Sequence, residues 1–350
     1  LIARHDNGNT GECIHFNSHT DVVEAGLGWT VNPFGGVIKN GRVYGRGACD
    51  MKGGLASSII AAENFIRFNP GHKGAIEISA TADEESGGFS GVAFLAKKGY
   101  FNPKKVDHVI IPEPLNKDRI CLGHRGVWWA EIETKGKIAH GSMPFLGDSA
   151  IRHMSAVLTE IEETLIPLLL SRKSNMPVVP ERAQTASLNI NSIHGGEKEQ
   201  FKNYTGLPAP CVADRCKITI DRRFLIEEDI KNVKNEVRSL MEKVKAQRPN
   251  FQYEINDLFE VLPTMTSKDK KIVRIFDKSI QEICKKKPEY VISPGTYDQK
   301  HIDRIGQLKN CIAYGPGILE LAHQPDEWIS IADMIKSSQV MGLSTAKILN

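Results

Sequence analysis

The run Cys13-Ile14-His15-Phe16-Asn17-Ser18-His19-Thr20-Asp21 begins as a short buried-strand candidate, Cys13 to Asn17, and closes on polar groups. Further on, Gly45-Arg46-Gly47-Ala48-Cys49-Asp50-Met51-Lys52-Gly53-Gly54 leads into Leu55, Ile59, Ala62 and Ile66, which recur at helical spacing. The paired glycines at the start of that helix permit close backbone approach. Beyond it, Ile76, Ile78 and Ala80 alternate with Glu77, Ser79 and Thr81 as a second strand, which runs into Asp83-Glu84-Glu85. A third strand, His108 to Ile111, stops at Pro112 and is followed by Glu113. Strands joined through helices in this way form a largely parallel α/β sheet.

After Val127 the order becomes strand (Trp128 to Thr134), helix (Asp148 to Leu165), two strands (Ala186 to Ile193, Lys217 to Phe224), helix (Glu227 to Ala246) and strand (Phe251 to Leu262). That order is the ferredoxin-like α+β arrangement and reads as an insertion. Past Pro263 the α/β alternation resumes, with a helix near Lys268 to Ile283, a strand near Cys311 to Tyr314 and a final helix from Ile331 to Leu349. The expected organisation is a discontinuous α/β domain (1–125 and 263–350) interrupted by a second domain (126–262).

Composition removes several function classes. The 350 residues are 41% hydrophobic and 25% charged, the balance of an ordinary globular chain, and exceed the usual length of one domain. A net charge of +3, with both signs well mixed, argues against nucleic acid as a partner. No apolar run approaches a membrane span, and there is no signal-peptide pattern. Seven cysteines without CxxC spacing fit free thiols in a reducing cytoplasm. The chain opens at Leu1 with candidate functional residues close behind, so a preceding segment is expected.

Each polar cluster follows a strand or sits on a loop: His19, Asp50, Glu85, Glu113 and, late in the chain, His323 in Ala322-His323-Gln324-Pro325-Asp326-Glu327. Ligands of open α/β sheets bind at the carboxyl ends of the strands, so a single cleft can collect all five. Two imidazoles and three carboxylates form a ligand set suited to a pair of zinc ions. Taken singly, such residues are more often ordinary surface or core groups; the signal lies in their combination. Gly88-Phe89-Ser90-Gly91 does not make a serine nucleophile elbow. Cys49 reads as a small packing thiol. His15, His72, His153 and His301 match no role.

In order and surroundings these motifs, together with Ala139-His140-Gly141-Ser142-Met143-Pro144, Asp221-Arg222-Arg223 and Gly295-Thr296-Tyr297-Asp298, resemble the acetylornithine deacetylase, succinyl-diaminopimelate desuccinylase and carboxypeptidase G family of di-zinc amidohydrolases. The resemblance covers nearly the whole chain. It implies two Zn2+ per subunit, with Co2+ or Mn2+ as substitutes, bridged by Asp50; His19 and Glu113 complete one site, Glu85 and His323 the other. Asp21 would orient His19, and Glu84 would be the general base. It further implies a cis peptide after Asp50, an oxyanion role for His140, a substrate-carboxylate contact from Arg222 or Arg223, and a cleft lining that includes Gly295 and Thr296. The insertion would serve as lid and dimerisation domain of a cytoplasmic homodimer, with His140 reaching the neighbouring subunit's cleft. The substrate implied is an N-acyl amino acid of amino-acid biosynthesis, or, on the same fold, a dipeptide or a carboxypeptidase substrate. The family's Gly-Gly-x-x-x-Asn element is stretched here, which leaves Asn189, Asn191 and Asn203 all open as its asparagine, and the family's opening strand and first helix do not precede Leu1.

Overall fold

The computed structural model describes residues 1–196 and 210–350. The chain divides into two compact units: Leu1–His124, Met176–Glu181 and Thr264–Asn350 form the first, and Arg125–Asn175 with Arg182–Pro263 the second. Met176–Glu181, within the stretch expected to be inserted, thus joins the first unit, where Val178 bridges to Ile292.

In chain order the first unit begins with β1 (Ile2–Asp6), β2 (Cys13–His19), β3 (Val37–Lys39), β4 (Arg42–Tyr44), α1 (Gly53–Phe68), β5 (Ala75–Thr81), α2 (Val92–Lys97), β6 (His108–Ile111) and β7 (Arg119–His124). The second unit contributes β8 (Gly126–Lys135), α3 (Ala150–Glu160), α4 (Ile166–Leu170), β9 (Ser187–Gly195), β10 (Arg215–Phe224), α5 (Ile230–Gln247) and β11 (Gln252–Val261). The first unit then resumes with β12 (Thr264–Met265), α6 (Lys271–Cys284), β13 (Glu289–Ser293), α7 (Gln299–Arg304), β14 (Cys311–Ala313), β15 (Trp328–Ser330) and α8 (Ile331–Leu349).

The first unit holds an eight-stranded mixed sheet in the order β1-β5-β2-β6-β14-β7-β12, with β13 also on β7. Its centre, β5-β2-β6-β14, is parallel, so β2, β5 and β6 point their carboxyl ends the same way. These buried strands are short and rich in Ile, Val, Cys and Phe, as a sheet covered by helices requires. Helix α1 packs against β2 and β5 and against α8, which also meets α6. The glycines at the start of α1 behave as their sequence suggests: a Cβ on Gly54 would lie 1.9 Å from the Pro112 carbonyl oxygen. A second sheet, β15-β4-β3, was not foreseen from sequence; its strands are three residues each, too short for a periodicity to register.

In the second unit a four-stranded antiparallel sheet runs β11-β8-β10-β9. Trp128, Ala130 and Ile132 of β8 and Ile218, Ile220 and Phe224 of β10 share a core with Met154 and Val157 of α3 and Val233, Val237 and Met241 of α5. Every second residue of β10 is buried, the period of a strand with one covered face. Asp229 caps α5, its side chain accepting the Lys231 N–H. Among the described residues no helix is long and apolar enough to cross a membrane.

Candidate metal centre

Because β5, β2 and β6 are parallel neighbours, the residues that follow them emerge side by side: Glu84 and Glu85 after β5, His19 ending β2, and Glu113 after β6. Two further groups arrive by another route. Strand β15 pairs with β4, Trp328 opposite Tyr44, which brings the His323 loop against the turn that carries Asp50. A buried ion pair fastens this junction: Arg46 Nη1 donates to Glu327 Oε2 at 2.6 Å, while Glu327 Oε1 accepts the backbone N–H groups of Cys49 (2.8 Å) and Asp50 (3.0 Å). Sequence reading assigned Glu327 no role, because the pairing spans 281 positions and leaves no local pattern. The Asp50–Met51 peptide is cis, in line with the family resemblance. Cys49 is fully buried and donates to the Ile318 carbonyl, a packing thiol as read.

Asp50 offers one oxygen to each imidazole: Oδ1 lies 3.1 Å from His19 Nε2, and Oδ2 lies 3.5 Å from His323 Nε2. His323 Nε2 also sits 3.1 Å from Glu85 Oε2. Ligand atoms of His19, Asp50 and Glu85 all fall within 4.8 Å of one another. The other ring nitrogen of His19 donates to the Asp21 carbonyl oxygen at 3.0 Å, which leaves Nε2 with its lone pair aimed at the cluster. Asp21 Oδ1 is a further 3.6 Å contact of that nitrogen, and Asp21 Oδ2 accepts the Glu85 N–H at 3.0 Å, so this residue ties the ends of β2 and β5 together.

The electrostatics test whether a cation fits. Burial works against charge on His19, yet Asp21 and Asp50 outweigh it and push its imidazole up to about 12; hydrogen bonds to Asp50 and Glu85 raise His323 to about 10. Both shifts share one cause: carboxylates crowd the ligand atoms of the two imidazoles. Burial pushes Asp50 up, but the two histidines more than offset this and hold it well below the ordinary carboxylate range. Glu113 is raised well above that range, first by burial and then by Asp50. Facing lone pairs of this kind, nitrogen and oxygen mixed, match a borderline divalent ion with neutral imidazoles. Glu84, its side chain 10% exposed, is lifted by burial to about 7 against the opposing pull of Lys300, whose ammonium lies 3.5 Å from Oε1.

The remaining candidates divide. Gly295 and Thr296 are partly exposed on the loop between β13 and α7. In the second unit, His140 is exposed, and its Nδ1 accepts the Ser142 N–H at 3.2 Å; the ring proton therefore sits on Nε2, the free donor. Arg222 is fully enclosed and bonded to Glu228 at 2.8 Å, whereas Arg223 lies on the opposite, polar face of β10 with Asp221. That leaves Arg223 as the more accessible guanidinium. Asn189 and Asn191 are exposed on β9 and bonded to each other at 2.7 Å; Asn203 lies outside the described residues.

A mixed α/β sheet gathering paired carboxylates and imidazoles at its strand ends is the arrangement of a metal-dependent hydrolase. The profile of peptidase family M20/M25/M40 matches residues 15–345, and the chain belongs to that family, whose members hydrolyse amide bonds. It is 28% identical over 334 residues to the succinyl-diaminopimelate desuccinylase of Polynucleobacter necessarius, covering 94% of this chain and 80% of that protein. Its fold is similar to that of an M20 family metallo-carboxypeptidase from Sulfolobus solfataricus (TM-score 0.73, 18% identity, 98% of this chain and 86% of that one). It is also similar to a dinuclear metal-binding M20 peptidase from Bacillus subtilis (TM-score 0.67, 16% identity, 99% and 84%). At these identities the structural likeness establishes the fold.

Proposed function

We propose that this chain is a di-zinc amidohydrolase that removes an acyl group from an N-acyl amino acid, of the succinyl-diaminopimelate desuccinylase or acetylornithine deacetylase type. The observation that carries the reading is the Asp50 carboxylate, with one oxygen turned to His19 and the other to His323. A carboxylate so placed would hold two ions together, with Glu113 and His19 as further ligands for one and Glu85 and His323 for the other. When bound, the pair supplies Lewis acidity that polarises the scissile carbonyl and makes water a stronger acid.

The chain's own groups do the rest. Glu84, held near neutrality by burial, takes a proton from the attacking water as its oxygen bonds to the carbonyl carbon. As the C–N bond breaks, Glu84 delivers that proton to the leaving amine, so no covalent enzyme intermediate forms. Asp21 keeps the His19 ring in one tautomer through its carbonyl. His140 Nε2–H is the donor for the developing oxyanion, supplied by the neighbouring subunit of a homodimer, and Arg223 receives the substrate carboxylate, a planar fork suited to that task. The fold likeness to a metallo-carboxypeptidase supports a second reading, hydrolysis of short peptides with the same groups.

The test is to titrate purified apo-protein with zinc and assay N-succinyl-diaminopimelate, N-acetylornithine, other N-acyl amino acids and dipeptides. Binding of two zinc ions with fastest turnover of an N-acyl amino acid is the expected result. Preference for dipeptides favours the second reading, and stoichiometry below one removes the metal assignment.

A further inference from the structure

The Gly295-Thr296-Tyr297-Asp298 loop carries a carboxylate that does not face solvent. Asp298 is 1% exposed; its Oδ2 accepts from Asn17 Nδ2 at 3.0 Å, and its enclosed Oδ1 has no hydrogen-bond partner among the described residues. Gly88 closes over it, for a Cβ there would fall 2.8 Å from Oδ1. Two residues on, Lys300 is 4% exposed, and its only ion pair among the described residues is with Glu84. The charge of Lys300 is also the main attraction opposing the burial of Asp298. The ammonium thus pairs with one enclosed carboxylate, the base, and acts on a second, Asp298, only through space.

Behind Asp298 runs an unbroken polar chain across β2 and β5. Asn17 gives its amide N–H to Asp298, so its Oδ1 accepts from Ser79 Oγ at 2.7 Å. Ser79 Oγ also lies 2.7 Å from His15 Nε2, and His15 Nδ1 lies 2.9 Å from Glu77 Oε2. Arg4 Nη1 donates to the other Glu77 oxygen at 2.5 Å and ends the chain at the surface. His15, Asn17 and Ser79 are fully buried, so this network is screened from solvent. An enclosed cation earns little stability for a fold, since an apolar side chain of similar length would fill the space without desolvation. Its retention beside Glu84 therefore points to chemistry.

We propose that Lys300 is a positioning residue for Glu84: its ammonium holds Oε1 of the base, leaving the second oxygen to carry the proton, and Asp298, two residues before it and held by Asn17, supplies an enclosed countercharge. The inference rests on Glu84 being the base. Glu84 makes no other side-chain hydrogen bond among the described residues, so nothing else would fix its carboxylate.

Zinc-loaded enzyme is assayed on the fastest substrate of the screen above, starting with N-succinyl-diaminopimelate. Lys300→Met should lower kcat by about 30-fold or more with KM within about twofold and zinc content unchanged, and Lys300→Arg should stay within about fivefold of the parent. Combined with Glu84→Gln, Lys300→Met should add no further loss, because a residue acting through the base has nothing left to position. A crystal structure of Lys300→Met should show the Glu84 carboxylate rotated or split between conformers. Normal kcat in Lys300→Met, a loss of equal size on the Glu84→Gln background, or a loss carried by KM or zinc content overturns the proposal. If Lys300→Met does not fold, Lys300→Arg and Asp298→Asn decide it: the first must keep kcat and the second must lower it by about tenfold or more, or the proposal fails. Full activity in Glu84→Gln itself would remove the base assignment, whereas an inactive Glu84→Gln beside an active Lys300→Met would remove only the positioning role.

Discussion

Replacing Glu327 by Ala tests whether the junction between the Asp50 turn and the His323 loop is built as described. The substitution removes the acceptor of three charge-assisted bonds, from Arg46 Nη1, Cys49 N and Asp50 N. At about 1.5 to 3 kcal/mol for each bond to a charged group, a simple sum would be about 4.5 to 9 kcal/mol. That sum is too large, because Arg46 keeps its bonds to the carbonyls of Ala25 (3.0 Å), His323 (3.2 Å) and Gln324 (3.3 Å), and its charge is not left bare. Loss of one partner from a buried ion pair costs about 3 to 5 kcal/mol, and about 4 kcal/mol is the value expected here. Since the backbone of Asp50 is released, zinc affinity should fall about 10- to 100-fold as well. Denaturant unfolding followed by circular dichroism gives the first quantity, and competition with a chelator the second. Glu327→Ala protein that unfolds at the parent midpoint and binds zinc as tightly as the parent would refute the reasoning.

Other expected outcomes are as direct. Glu84→Gln, which keeps volume and removes the base, should retain zinc and lose turnover by about 100-fold or more; loss of zinc instead would make Glu84 a ligand. Gly54→Ala drives a methyl group into the Pro112 carbonyl just before Glu113, so it should destabilise by about 1 to 3 kcal/mol in a melting experiment. Stripping the metal with a chelator should lower the melting temperature, and zinc at about 100 times its dissociation constant should restore about 2.7 kcal/mol per site, reaching its end point at two equivalents. Mixing Glu84→Ala with His140→Ala protein should return roughly a quarter of parental activity if subunits exchange at random, since half the dimers then hold one intact composite site. Exchange without recovery would show that His140 does not act across the interface.

The strands that position the site were legible because each ends on a cluster of acids or histidine. His108–Ile111 was read to the residue, and β2 extends only two positions past the expected Asn17. The last helix begins at Ile331 as expected, where the Ser330 side chain accepts the Asp333 N–H. Helix α5 starts at Ile230 rather than Glu227 because Asp229 is its cap, and Glu227 and Glu228 turn instead to Ser174, Arg172 and Arg222. The helix read from Asp148 to Leu165 begins at Ala150 behind its Ser149 cap and continues, through a distorted turn, to Leu170. What stayed hidden was long-range: the three-residue strands that join β15 to β4, the Arg46–Glu327 pair, and the inward turn of Asp298. Periodicity reports which face of an element is apolar, not which distant charge it meets. His15 and His301, which matched no motif, are interior polar groups, the first in the chain behind Asp298 and the second bonded to the Gly87 carbonyl at 2.7 Å.

Strand β14 lies between β6 and β7 in the central sheet, although all of the second unit is synthesised between them and it. During translation the nascent first unit therefore carries a slot at its centre, with two apolar strand edges waiting for a filler that has not yet been made. At about 5 to 20 residues per second the wait is about 10 to 40 seconds. His323 emerges later still, so on the ribosome the site can offer only His19, Asp50, Glu85 and Glu113. The second unit, encoded by one nearly continuous stretch, has by then left the exit tunnel and can fold first. Unpaired strand edges held open for that long are the feature by which a chain of this topology is exposed to mispairing while it is made.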